Sequence, residues 1–83
     1  MFKSTADFDK AVYDVLVKIR DGENWDNILS DLMDNNHTIV VEQIIKDGYV
    51  NGLMSVPYLV GNLYPGVPSI TIAGLQYVEG LDN

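Results

Sequence analysis

The chain contains no cysteine, a single histidine, and only five Lys and Arg against twelve Asp and Glu. Each scarcity removes a class of function. Without cysteine there is no disulfide framework, no thiolate metal site and no cysteine nucleophile, and the absence fits a cytoplasmic location. Met1 to Lys10 carries two lysines, two aspartates and no apolar run, which argues against a signal peptide. No window approaches the roughly 18 apolar residues that a membrane-spanning helix needs. The formal charge of −7 disfavours nucleic acid, because affinity for a duplex comes largely from cations that displace condensed counterions. Anionic membranes are disfavoured for the same reason. The plainest role of such acidity is to keep a small protein in solution.

The sharpest shortage is local. From Gly48 to Val78 the chain runs 31 residues without Asp, Glu, Lys or Arg, and all five cations lie at or before Lys46. The second half therefore has no side chain to neutralise a phosphate. Gly, Pro, Asn and Ser are mixed with the apolar residues there, so the stretch reads as a sheet-forming region with a neutral surface.

At 83 residues and 47% apolar content, the chain has material for one core and one domain spanning 1–83. Phe8, Ala11, Val12, Val15, Leu16 and Ile19 recur at three- and four-residue spacings and predict a first helix, capped by Ser4 or Thr5 and stopped at Gly22. Trp25, Ile28, Leu29, Leu32 and Met33 predict a second, capped by Asn24 and ended by Asn35-Asn36. Val40, Val41, Ile44 and Ile45 are β-branched but helically spaced. They predict a third helix, with Thr38 as cap and Gly48 as stop. Tyr49 to Met54 reads as a strand. Ser55 to Pro68 holds all three prolines, with Gly61-Asn62 suited to a hairpin turn and Pro65-Gly66 to another. Val67 to Ile70 then returns as the partner strand. Ile70 and Ile72 alternate as in a strand, so residues 71–79 read as either strand or helix. The favoured reading is a closing helix, in which Thr71 is the cap, Ile72, Leu75 and Val78 share one side, and Gly80 is the stop. The expected class is α+β: a small winged-helix domain with three N-terminal helices, a two- or three-stranded antiparallel wing and a short C-terminal helix. The third helix stands where such folds place a recognition helix.

Two stretches carry a resemblance. Ile45-Lys46-Asp47-Gly48-Tyr49-Val50-Asn51-Gly52 resembles the junction of helix and G-Y-[IV]-x-G in the YjcQ-like winged-helix proteins of Gram-positive bacteria and their phages. Ile70-Thr71-Ile72-Ala73-Gly74-Leu75-Gln76-Tyr77-Val78-Glu79 is similar to their terminal [LI]-T-x-x-G-x-x-Y-[LV]-E signature. The match covers roughly the last forty residues and implies a winged-helix fold with a terminal helix starting near Thr71. It implies no catalytic residue. The uncharged, proline-containing wing departs from any nucleic-acid use of that fold.

Chemistry-bearing constellations are lacking. His37 has only Asp34 and Glu42 as nearby acids, in no recognised ligand spacing. Asp31 and Asp34 lie three apart on an outer helix face, where solvation is the ordinary state of paired acids. Ser4, Ser30, Ser55 and Ser69 stand in no nucleophile motif, and Gly61, Gly66 and Gly74 form no phosphate-binding pattern. No enzyme activity, cofactor, metal or small-molecule substrate is implied.

The remaining signals concern surfaces. Tyr13 and Val17 lie opposite the core stripe of the first helix, and Ile39 falls outside the core arc of the third. With Tyr58, Leu59, Leu63 and Tyr64 of the neutral loop they have the composition of an interface centre, or of a lid over a thin core. The leading reading is a non-catalytic protein-interaction module, self-associating as a homodimer or binding a protein partner. The alternative is a DNA-binding transcriptional regulator of bacterial or phage origin, for which Lys10, Lys18, Arg20 and Lys46 would supply the cations. A third reading uses Asp26, Asp31 and Asp34 as a phosphate-like row that mimics DNA.

Overall fold

The computed structural model describes residues 2–59 and 61–82, which form a small α+β domain of four helices and four short strands. Helix α1 spans Thr5–Arg20, α2 Trp25–Asp34 and α3 Ile39–Lys46. Ser4 is extended, and its hydroxyl accepts the Asp7 amide at 3.1 Å, so it is the cap of α1. Asn24 caps α2 by accepting the Asn27 amide at 3.2 Å. Thr38 makes no capping bond, contrary to expectation. Its backbone is already helical (φ −63°, ψ −18°), which turns its hydroxyl away from the first amides.

The first three helices end alike. Gly22, Asn36 and Gly48 are left-handed, with φ of 80°, 59° and 71°. The following amide then reaches back to the last turn: Glu23 to Lys18, His37 to Leu32 and Tyr49 to Ile44, at 3.0, 2.7 and 3.0 Å. These bonds satisfy carbonyls that a helix end otherwise leaves open.

The strands make one bent two-stranded ribbon. At its base, β1 (Val50–Leu53) pairs antiparallel with β4 (Gly66–Ile70); at its tip, β2 (Val56–Tyr58) pairs with β3 (Gly61–Leu63). Met54-Ser55 and Tyr64-Pro65 lie between the two ladders. Asn51 pairs with Ser69 and Leu53 with Gly66, so β4 carries an extra residue there, a bulge that re-aims the ribbon. Gly52 and Gly66 cross at this slip. A Cβ on Gly52 would strike the Val67 carbonyl, and one on Gly66 the Gly52 carbonyl. Tyr58 pairs directly with Gly61, so the hairpin turn precedes Gly61-Asn62 instead of falling on it.

Helix α4 (Ile72–Asp82) starts at Thr71, whose hydroxyl accepts the Gly74 amide at 3.1 Å. It runs through Gly80, the expected stop. Ile72 is 75% exposed, also against expectation, while Gly74 and Val78 form the buried face. The reason is steric. Gly74 lies so close to the Tyr49 carbonyl that no side chain fits between them, and this contact rotates α4 about its axis.

Val12, Val15, Leu16 and Ile19 meet Trp25, Ile28, Leu32, Val40, Val41, Ile44, Val50, Tyr64 and Val78 in one core. Helix α1 is central to it and packs against α2, α3, α4 and β4. Among the described residues no helix is long and apolar enough to cross a membrane.

Candidate functional site

Glu42, on the middle turn of α3, is the polar hub of the molecule. Its Oε1 accepts three hydrogen bonds: from Ser55 Oγ at 2.6 Å, Asn62 Nδ2 at 2.8 Å and the Tyr64 hydroxyl at 2.8 Å. The donors come from the β1–β2 connection, β3 and the β3–β4 connection. Donation favours the ionised form, so Ser55, Tyr64 and Asn62 hold the Glu42 carboxyl below the usual glutamate range, against a smaller opposing effect of burial. Burial, reinforced by the Glu42 carboxylate, holds the Tyr64 phenol above the ordinary tyrosine range. The Tyr64 ring lies in the core, and its backbone carbonyl accepts from Trp25 Nε1 at 3.3 Å. Both the backbone and the side chain of Tyr64 are thereby fixed at the root of the β2–β3 hairpin.

This clasp decides which way the hairpin faces. Side chains alternate across a strand, so Pro57 and Asn62 share one face while Val56, Tyr58 and Leu63 share the other. Asn62 is bonded to Glu42, which turns its face toward α3. The opposite face is left largely uncovered, although Val56 on it is half-buried. Tyr58 is 63% exposed, Leu63 50%, and Leu59 beyond the ladder 92%. Pro57 and Asn62 are exposed as well, so neither face of the hairpin covers the core.

Beside the hairpin lies a groove of about 250 Å³, lined by Leu29 and Met33 of α2, Asn36, Thr38 and the chain from Gly61 to Tyr64. Asn36 and Thr38 also line the neighbouring hollow, together with Phe2 and Ile39. Ile39 and Leu63 thus belong to adjoining depressions, and Tyr58 and Leu59 continue the apolar surface toward the hairpin tip.

The anticipated contact residues fall into two sets. Ile39, Tyr58, Leu59 and Leu63 are exposed, and Ile39 and Leu63 line adjoining hollows. Tyr64 is buried and serves as the lid, which removes it from the contact set. Tyr13 and Val17 are half-buried against the core, because α1 is covered on several sides. Tyr13 borders a separate α1–α4 groove with Leu81. Met33 was expected to be core but is 63% exposed and joins the apolar rim.

The four candidate cations do not assemble into a basic face. Lys10 borders grooves that also hold Asp7, Asp9 and Asp14. Arg20 Nε lies 3.1 Å from Asp21 Oδ1. Lys18 is half-buried on α1, and Lys46 ends α3 beside Asp47. His37 stacks on Phe2, with ring centroids 4.3 Å apart, while Glu42 faces its three donors. Glu42, Ser55 and Asn62 were not anticipated as a set, and no local spacing signals a hub whose partners lie 13, 20 and 22 residues onward.

Comparison with protein-family models, with curated proteins and with solved structures yields no significant match.

Proposed function

We propose that this domain is a non-catalytic protein-interaction module on a winged-helix scaffold, self-associating through the outward face of the β2–β3 hairpin. The observation that carries the reading is the exposure of apolar side chains on a hairpin that is held in place: Asn62 is bonded to Glu42 while Tyr58, Leu59 and Leu63 stand in solvent. Burying apolar surface is favourable by roughly 25 cal/mol per Å², so an uncovered face of this kind gains free energy when a partner covers it.

Charge favours a second copy as that partner. Two chains of charge −7 repel, yet residues 48–78 carry no formal charge, so two hairpins meet without placing like charges in contact. A shared patch that matches itself is the usual basis of a two-fold dimer. Pro57 lacks an N–H, which makes β2 a poor template for edge-to-edge strand addition and favours face-to-face contact. The patch is built from a handful of side chains, against roughly 20–30 residues a side in standard interfaces, so the association is weak and concentration-dependent.

The order of three helices, bent ribbon and closing helix supports the winged-helix scaffold, with the hairpin as wing, as does the YjcQ-like resemblance. The DNA-regulator alternative draws on that scaffold alone. Sedimentation velocity over a wide concentration range tests the proposal. The expected result is a shift from monomer to dimer, and a strict monomer at millimolar concentration sinks it.

A further inference from the structure

We propose that Glu42 is a positioning residue that latches the β2–β3 hairpin against α3 and so sets the direction in which its apolar face is presented. This rests on the reading of that face as the contact surface and adds how its presentation is controlled. The chain path leaves the hairpin little else to hold it. No described residue of β2 or β3 is buried, and the close backbone packing of the two strands is with each other. Both connections to the base of the ribbon lie outside the ladders, at Met54-Ser55 and Tyr64-Pro65, and are joined to each other by a single long bond from the Met54 amide to the Pro65 carbonyl at 3.4 Å. The Tyr64 ring anchors one connection in the core, but an anchor on one strand fixes a position and leaves a tilt.

The three bonds to Glu42 fix the tilt. Ser55 restrains the connection into β2, Tyr64 the connection out of β3, and Asn62 the ladder itself. All three converge on a single oxygen. Charge-assisted bonds of this kind are the strong ones, and losing the shared acceptor releases three restraints together. Residues 48–78 offer no second charged group to replace it. With Glu42 engaged, the hairpin is held at one tilt and Tyr58 and Leu63 are presented from it in a fixed direction. With Glu42 disengaged, a two-stranded ladder with nothing buried behind it frays as well as swings, and the face that a partner meets has no fixed direction.

The test is amide hydrogen exchange on the full chain, at a dilution where it is monomeric, comparing wild type with Glu42→Gln. Glutamine keeps the shape but offers a neutral, weaker acceptor. The expected result is that the Tyr58 and Leu63 amides, which lie in the hydrogen-bonded pairs of the hairpin, exchange about tenfold faster or more, while the Leu16, Val41 and Ile44 amides keep their wild-type rates. Wild-type exchange at the hairpin overturns the latch. If Glu42→Gln also loosens the core, the paired substitution Ser55→Ala with Asn62→Ala decides, since it leaves Glu42 in place. Selective hairpin loosening then supports the latch, and core loosening again overturns it by making the cluster a general stabiliser. A wild-type chain that never self-associates defeats the contact reading alone, because the exchange comparison is made on the monomer.

Discussion

Thr71 Oγ1 donates to the Gly48 carbonyl at 2.6 Å and accepts the Gly74 amide at 3.1 Å, while the Thr71 amide donates to the Tyr49 carbonyl at 3.0 Å. One residue therefore closes the end of α3, enters beside β1 and starts α4. The rings of Tyr49 and Tyr77 meet next to it, with centroids 4.9 Å apart. The stretches 45–52 and 70–79 are thus in direct contact through Gly48, Tyr49, Thr71, Gly74 and Tyr77. Thr71→Val keeps the shape and removes both side-chain bonds. It is expected to destabilise by about 1–3 kcal/mol, read as a lower urea midpoint, with Thr71→Ser recovering most of the loss.

Tyr64→Phe separates the lid from the clasp. The ring still fills the core, but Glu42 loses one of its three donors. A loss of about 1–2 kcal/mol is expected in chemical denaturation. Tyr64→Ala removes the ring as well and should cost about 3–5 kcal/mol, the range for large aromatic truncations. Equal losses for the two variants would show that the hydroxyl, and not the ring, holds this segment.

Leu59→Asp places a charge on the most exposed apolar residue of the hairpin. Folding stability is expected to stay within about 0.5 kcal/mol of wild type, as for surface changes in general. Dimer formation in sedimentation should disappear. Raising salt from low to physiological strength should strengthen the wild-type dimer, because it screens repulsion between two −7 chains while leaving a neutral contact intact. Salt-induced dissociation would place the contact on a charged face instead.

The pH profile follows from the same clasp. Glu42 is held below the usual glutamate range in the folded chain, so the stability it contributes is fully present above that range and is lost as pH falls through the depressed value. Between about pH 6 and pH 3, NMR shifts of Ser55, Asn62 and Tyr64 should therefore move together. At the alkaline end the sign reverses. Tyr49, Tyr64 and Tyr77 are all raised, chiefly by burial, so their contribution is present below the ordinary tyrosine range and is lost as pH rises through the raised values. Flat thermal stability on the acid side would show that the clasp does not bear on folding.

The helices were legible because their determinants are local. Ser4 and Asn24 cap amides three residues on, and Gly22, Asn36 and Gly48 stop helices through their own backbone angles. The pairing of β1 with β4 was legible from the same kind of signal. Facing was not. Periodicity groups Ile72 with Val78 and Met33 with Leu32, but which member is covered depends on where another element lies. Gly74 against Tyr49 decides the first case. Tyr13 and Val17 were placed outside the core stripe because a single stripe is expected for a helix covered on one side, and α1 is covered on several. Tyr64 had the composition of either a lid or an interface, and only the placement of Glu42 and Trp25 separates the two roles. The exposure of Tyr58 and Leu63 was hidden for the same reason, since it depends on how the hairpin is held, with Asn62 finding an acceptor 20 residues away.

The packing of α4 on α1 also bears on the order in which the chain can fold during synthesis. The Tyr77 hydroxyl donates to the Asp9 carbonyl at 3.3 Å, and Val78 is wholly enclosed with Val12 and Leu16 in the core. A nascent chain that has emerged only as far as Ile70 can make three helices and a ribbon, but one flank of its first helix stays open to water. Of these four helices the last made is the wall of the first, so the core closes only once the chain through Val78 is available.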